Sequence, residues 1–111
     1  MNNKEMELFR IVDIVVSCCA TQVDEAGTMS VTREDVLGKR RQENIVMTRC
    51  ILVGQLIGAG FSTTTAAQLL HRSTHEIRHL LDVGAQYERT SRAYRIANAE
   101  ATLKCRDISA S

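Results

Sequence analysis

The sequence predicts an all-α fold, a helical bundle that contains a helix-turn-helix, and three observations indicate this class. Its 111 residues include no proline and only six glycines, so few positions interrupt a helix. Apolar residues recur at spacings of three and four, whereas segments that alternate with a period of two are few. Serine or threonine stands before several of these segments, where an N-cap would begin a helix. The length is typical of a single domain, which we expect to span residues 1–111.

The two ends of the chain are expected to add one helix each to the bundle. An N-terminal helix is predicted at residues 4–20, although its run IVDIVV would also suit a strand, and a loop follows at residues 21–31. A C-terminal helix is predicted at residues 91–105, followed by a polar, frayed tail at residues 106–111. The inward positions of this last helix are Ala93, Tyr94, Ala97, Ala101 and Ile96.

The central part of the chain, residues 31–88, is predicted to form the helix-turn-helix core. It begins with a short helix that Thr32 caps, with Asp35 at the third helical position and Gly38 at the end. A basic connection then leads into the long helix described next.

A long helix is expected at residues 43–59, where apolar residues occupy most of the helix circumference. A helix of this kind is usually the most buried one in its domain. Gly54 and Gly58 lie four residues apart on it, and this spacing would let another helix approach closely.

Two capped helices complete the core. The first is predicted at residues 65–70, after a cap among residues 62–64, and a tight joint follows at residues 71–72. Ser73 then caps a second helix that runs to about residue 88, and Glu76 completes a capping box. The inward positions of this second helix are Ile77, Leu80, Leu81 and Gly84.

This pair of helices has the pattern of a helix-turn-helix, whose second helix presents its first turn to the major groove of DNA. Residues 73–76 would face the groove, and Arg72 and Arg78 would lie near phosphates. Arg41 and Arg49 would anchor the protein on the backbone or in the minor groove. A helical hairpin inside a bundle would give the same pattern without DNA binding. The complete set of predicted DNA-binding residues is Lys39, Arg40, Arg41, Arg49, Arg72, Ser73, Thr74, His75, Glu76, Arg78 and His79.

Residues 75–79 also match H-E-x-x-H, the pattern with which zinc hydrolases hold their metal. His75 and His79 would share one face of a helix, Glu76 would act as general base, and Glu100 would be a third ligand. A continuous helix would align His71 with both histidines as a metal or pH switch. The capping role of Glu76 and the absence of a predicted sheet favour exposed polar side chains on a DNA-binding helix.

Charge and cysteine content point to a cytoplasmic protein with a mildly basic core. Residues 1–30 hold two basic and five acidic side chains, whereas residues 31–111 hold twelve basic and eight acidic ones. The four cysteines form no C-x-x-C pair, so we expect reduced thiols. The charged start MNNKEMELFR is unlike a signal peptide, and polar residues interrupt the uncharged stretch at residues 50–71, so no membrane partner is expected.

The order of these parts resembles the C-terminal DNA-binding domain, domain IV, of the bacterial chromosomal replication initiator DnaA. The segments that carry the resemblance are VTREDVLGKRR, the long helix with Arg49, FSTTTAAQLL and RSTHEIRHLL. The resemblance covers roughly residues 8–106 and implies a Trp-repressor-like fold that binds double-stranded DNA. It also implies that Arg41 enters the minor groove and that Arg49 takes the place of a family arginine on the long helix.

The recognition segment departs from the family's pattern. The family motif Arg-Asp-His-Thr-Thr-Val aligns with residues 72–77, where Arg72 is kept, Ile77 is an apolar match and the positions between them differ. The resemblance therefore implies DNA binding of this geometry on a different target sequence. The family's ATPase domain has no counterpart here, since no G-x-x-x-x-G-K-[ST] occurs, so we expect no nucleotide. We also expect no cofactor, metal or enzymatic activity. The predicted role is a regulator or a replication accessory, with a homodimer or a protein partner adding affinity. The alternative is a protein-interaction module on the same scaffold.

Overall fold

Six helices make up almost all of the regular structure among residues 2–24 and 27–109, the part of the chain that this computed structural model describes. The elements in order are α1 (Asn3–Cys19), β1 (Val23–Asp24), β2 (Gly27–Thr28), α2 (Arg33–Leu37), α3 (Glu43–Gly58), α4 (Thr63–Leu70), α5 (Thr74–Thr90) and α6 (Arg92–Lys104). The all-α class is confirmed, and each predicted helix is present with bounds that shift by one or two residues.

Side-chain caps fix where most helices begin. The hydroxyl of Thr32 accepts from the Asp35 amide at 3.1 Å, and the Ser91 hydroxyl accepts from the Tyr94 amide at 3.1 Å. The Thr32 cap is confirmed, whereas Ser91, predicted as the first residue of the last helix, is its cap; a hydroxyl at this position satisfies an amide that has no partner inside the helix. The cap of α4 is Ser62, so α4 begins two residues earlier than the sequence pattern predicted.

Helix α3 is the centre of the bundle, as predicted from the apolar residues on nearly all of its faces. It contacts α1, α2, α4, α5 and α6, and such a helix buries side chains on nearly all of its faces. Its buried residues are Ile45, Met47, Thr48, Arg49, Cys50, Ile51, Leu52, Val53, Gln55 and Leu56. Every other helix is therefore positioned relative to α3.

The glycines of α3 do not serve the role that their spacing suggested. A Cβ atom built on Gly54 or Gly58 meets no atom within 4 Å, so no helix packs closely against either residue. The two glycines instead line an open groove of about 430 Å³ beside α6. The close approach occurs at Gly84 of α5, where a Cβ atom would lie 2.7 Å from the Tyr94 hydroxyl and 3.3 Å from the Cys50 Cβ. The expectation for Gly54 and Gly58 was wrong, whereas the inward placement of Gly84 is confirmed.

Two segments expected to be irregular are more ordered than the sequence suggested. Within the predicted loop at residues 21–31, Val23 pairs with Thr28 and Asp24 with Gly27 as a short antiparallel ladder. The predicted frayed tail carries a core residue, since Ile108 is only 4% exposed. An isolated apolar residue in a polar tail is a weak signal, which is why its burial was missed. The last two residues of that tail lie outside the described residues.

The four cysteines are buried and carry free thiols. Burial raises the pKa of Cys19 to about 11 and that of Cys50 to about 12, because a thiolate is poorly solvated among apolar side chains. These cysteines therefore behave as small core residues. None of the helices in residues 2–24 and 27–109 combines the length and the apolar character that a membrane crossing requires.

Candidate nucleic-acid interface

A tight reversal joins α4 to α5. Helix α4 ends at Leu70, and His71 then adopts the left-handed conformation with φ 53° and ψ 46°. It is the only non-glycine residue with positive φ in the described part of the chain. Residues 71–73, called the joint below, turn the chain so that α5 packs against both α4 and α3. The turn breaks helical continuity at His71, so His71 does not align with His75 and His79 on one helix, as a three-histidine switch would require.

Replacing His71 with glycine is expected to stabilise the protein by about 0.5–1 kcal/mol. A left-handed residue with a Cβ costs about 1–2 kcal/mol, and the greater entropy of unfolded glycine offsets part of that gain. Urea unfolding followed by circular dichroism measures the change. Gln68→Gly, an exposed change inside α4, is the matched control and should instead destabilise the protein. A His71→Gly variant that loses stability would contradict the strained conformation of the joint.

The first turn of α5 is held by a capping box. The Ser73 hydroxyl accepts from the Glu76 amide at 3.1 Å, and Glu76 Oε1 accepts from the Ser73 amide at 3.5 Å. Glu76 Oε2 also accepts from Arg72 Nη1 at 3.2 Å. The Ser73 amide and the Arg72 guanidinium lower the pKa of Glu76 below its ordinary value, since both favour the ionised carboxylate. The predicted capping box is confirmed, and Glu76 faces the joint.

The connection between α2 and α3, residues 38–42, lies directly beside the joint. Lys39 Nζ donates to the His71 carbonyl at 3.4 Å, and Arg72 Nη2 donates to the Gly38 carbonyl. These two bonds join segments that are more than 30 residues apart in sequence. They place the basic run 39–41 next to the first turn of α5.

Most of the predicted DNA-binding residues are exposed on the surface that this contact creates. We call this surface the basic surface, and its exposed members are Lys39, Arg40, Arg41, Ser73, His75, Arg78 and His79. Thr74 and Glu76 are partly exposed at the start of α5. The surface therefore combines four exposed cationic side chains with a helix N-terminus, both of which favour anions.

Arg49 is placed differently from the sequence-based expectation of a DNA contact. The residue is 3% exposed, and its guanidinium donates to the carbonyls of Val36 at 3.0 Å, Asp35 at 3.1 Å and Gly38 at 3.0 Å. Burial lowers the pKa of Arg49, and the nearby charge of Arg72 lowers it further. The last carbonyls of a short helix need donors from elsewhere, and Arg49 supplies them for α2. Its main role is thus to hold the connection in place.

Arg72 is also largely enclosed, with its side chain 8% exposed. It bridges the Gly38 carbonyl and the Glu76 carboxylate. The sequence predicted that Arg72 contacts a phosphate, but in the structure its guanidinium already donates to acceptors inside the protein.

Between the connection and α5 lies a small pocket of about 180 Å³, called the arginine pocket below. Its lining residues are Arg41, Val46, Arg49, Arg72, Glu76, His79 and Leu80. Three arginines and one histidine thus line the same pocket as a single acidic residue, Glu76.

Gly38 is the functional position that the sequence did not single out. A Cβ atom there would lie 2.8 Å from the Glu34 carbonyl, so the backbone path of the connection requires glycine. Its own carbonyl accepts from both Arg49 and Arg72. The sequence signal for this role was a glycine directly before a basic run, but that glycine was interpreted only as the end of α2.

The histidines of residues 75–79 are both exposed on α5. Glu76 between them is engaged by Ser73 and Arg72, and Glu100 pairs with Lys104 at 2.8 Å. Within residues 2–24 and 27–109, no group of three His, Cys, Asp or Glu side chains is placed to hold a metal ion.

Comparison with known proteins adds no further assignment. No protein-family model, curated protein or solved structure matches this chain.

Proposed function

We propose that the protein binds double-stranded DNA, with α4, the joint and α5 acting as a helix-turn-helix. The first turn of α5 enters the major groove, and the basic run 39–41 lies along the backbone or in the adjacent minor groove. One observation carries the proposal: the hydrogen bonds of Lys39 and Arg72 bring the basic run and the start of α5 onto one surface. In this role the protein is a cytoplasmic regulator or replication accessory of the initiator-domain type.

The chemistry of the basic surface suits a duplex. Lys39, Arg40 and Arg41 are exposed and can each neutralise a phosphate. Ser73, Thr74 and His75 present short polar groups at the N-terminus of a 17-residue helix, where backbone amides and side chains contact phosphates and base edges. Arg78 lies one turn further along α5 and is exposed. Affinity would come from the basic run, and sequence preference from the first turn of α5.

The test is binding of a random-sequence duplex library over a range of salt concentrations. Wild-type affinity should fall steeply with salt, because phosphate contacts release counterions. Arg41→Ala should weaken binding to all sequences and flatten the salt slope by about one unit.

Arg89→Ala is the matched control, since it also removes one exposed arginine. Its position is 15 residues after Thr74 on α5, or about 22 Å along the helix, so binding should be unchanged. Equal losses for Arg41→Ala and Arg89→Ala would indicate non-specific attraction. No retention by the wild type at low salt would refute DNA binding.

A protein-interaction module is the second candidate function, and one observation favours it. Two of the arginines predicted to contact DNA, Arg49 and Arg72, are already occupied by internal carbonyls and by Glu76. Fewer cations are therefore free for phosphate than the sequence suggests. This candidate predicts no salt-dependent DNA retention in the same assay.

A further inference from the structure

We infer that the carboxylate of Glu76 occupies the position in the arginine pocket that would otherwise receive a DNA phosphate, and so holds the DNA affinity of the basic surface down. The inference rests on the proposed function, because the phosphate in question belongs to the duplex. It assigns Glu76 the role of an internal competitor for the phosphate.

The geometry of the Arg72–Glu76 pair supports this role. Glu76 Oε2 accepts from Arg72 Nη1 at 3.2 Å, and the Arg72 side chain is 8% exposed whereas that of Glu76 is 46% exposed. The carboxylate therefore lies on the solvent side of the pair and covers the guanidinium. An anion that approaches from solvent meets the negative charge of Glu76 before it meets Arg72.

The positive charges that line the arginine pocket outnumber the single negative charge of Glu76. Arg41, Arg49 and Arg72 line it with His79, and Glu76 is its single acidic residue. Arg49 uses Nε and Nη2 to reach three carbonyls, while its Nη1 has no hydrogen-bond acceptor within the described residues. No buried side-chain nitrogen in the described residues lacks a partner, so this Nη1 is open to solvent and can donate to an incoming oxyanion.

The size of the arginine pocket also suits a phosphate group. Its volume is about 180 Å³. One water molecule takes about 30 Å³ in the liquid, so the pocket has room for several waters or for one phosphate. The apolar side chains of Val46 and Leu80 form part of the lining, which reduces solvent screening of the charges inside.

The capping box explains why Glu76 competes with a phosphate for the arginine pocket instead of contacting a base. Its Oε1 accepts from the Ser73 amide and hydroxyl, both at 3.5 Å, while its Oε2 accepts from Arg72. To swing away from the joint toward a cytosine amino group, the side chain would have to leave these partners and release the first turn of α5. Local bonds therefore hold the carboxylate over the arginine pocket.

The decisive variant is Glu76→Gln, because glutamine keeps the capping box while it removes the charge. Affinity for random-sequence duplexes should rise about tenfold, and the salt slope should steepen by about one unit as one more phosphate is neutralised. Glu43→Gln is the matched control, since it removes an exposed carboxylate in the first turn of α3, just after the basic connection. A similar rise in Glu43→Gln would reduce the effect to net charge and overturn the inference.

A second measurement separates this inference from the proposed function. Inorganic phosphate is titrated into both proteins, and the arginine side-chain Nε–H signals are followed by NMR. The expected result is that phosphate shifts the Arg72 signal in Glu76→Gln at a lower concentration than in the wild type.

If this shift occurs but neither protein binds a duplex, DNA binding is refuted, while the competition between Glu76 and phosphate for the arginine pocket is supported. Duplex binding with unchanged affinity and unchanged Arg72 shifts in Glu76→Gln would overturn the inference and leave DNA binding intact. Loss of a preference for particular sequences, with no gain in affinity, would also overturn it and assign Glu76 to base reading.

Discussion

Replacing Arg49 with lysine is expected to lower the free energy of unfolding by about 2–4 kcal/mol, although the positive charge is kept. The guanidinium of Arg49 donates to three carbonyls at the end of α2 and in the connection. A lysine ammonium is a single donor centre on a flexible stem and does not reproduce this fork. At least one buried carbonyl would then lose its partner, which costs about 1–3 kcal/mol for each group left unsatisfied.

The Arg49 prediction separates a structural role from a direct DNA contact. If Arg49 acted mainly as an exposed cation, Arg49→Lys would leave stability unchanged, and only DNA affinity would respond. Arg40→Lys is the control, since Arg40 is exposed and the same exchange there should change the free energy of unfolding by less than about 0.5 kcal/mol. Chemical unfolding measures both variants, and equal effects at the two positions would contradict the buried role of Arg49.

Ile77→Ala is expected to be destabilising by about 2–5 kcal/mol. Ile77 is fully buried at the first inward position of α5, the helix that contacts α3, α4 and α6. Removing its side chain leaves a cavity that close-packed neighbours fill only in part. Because the same residue holds the first turn of α5 against the core, the proposed duplex binding should weaken at temperatures well below the unfolding transition.

Ile96→Ala provides the control for Ile77→Ala. Ile96 lies on α6 and is 42% exposed, so its truncation should cost less than about 0.5 kcal/mol. The comparison holds residue type and helical context constant while burial changes. Equal losses at the two positions would mean that α5 is not packed on α3 as described.

Helix positions were predictable because the signals that set them are local. A cap such as Thr32 or Ser73 bonds to an amide three residues away, so the sequence pattern contains both partners. The inward face of α5 was predictable for the same reason, since its residues repeat with the helical period. The inward placement predicted for Ile96 was wrong, because alanine and tyrosine already fill the inward face of α6 and leave Ile96 exposed.

The role of a charged residue was less predictable than its location on a helix. Arginine identity shows that a charge is present, but the carbonyls that bind Arg49 come from residues 11 to 14 positions earlier in the chain. Gly54 and Gly58 illustrate the same limit, since small residues permit a close approach but do not specify a partner. The contact of Lys39 with the joint likewise depends on residues 32 apart. Sequence therefore indicated the components of the candidate interface, and tertiary contacts decided which of them face solvent.

The shared acceptor at Gly38 couples the motion of the connection to that of the joint. The Gly38 carbonyl of the connection accepts from Arg49 of α3 and from Arg72 of the joint. If the connection moved away from the joint or from α3, a charged donor would lose this acceptor. The connection and the joint should therefore open together as one foldon, and fraying of α2 alone should be rare. A duplex would then meet a surface whose two halves are already fixed relative to each other. The entropy of ordering them is lost during folding, so little of the binding free energy is spent on it.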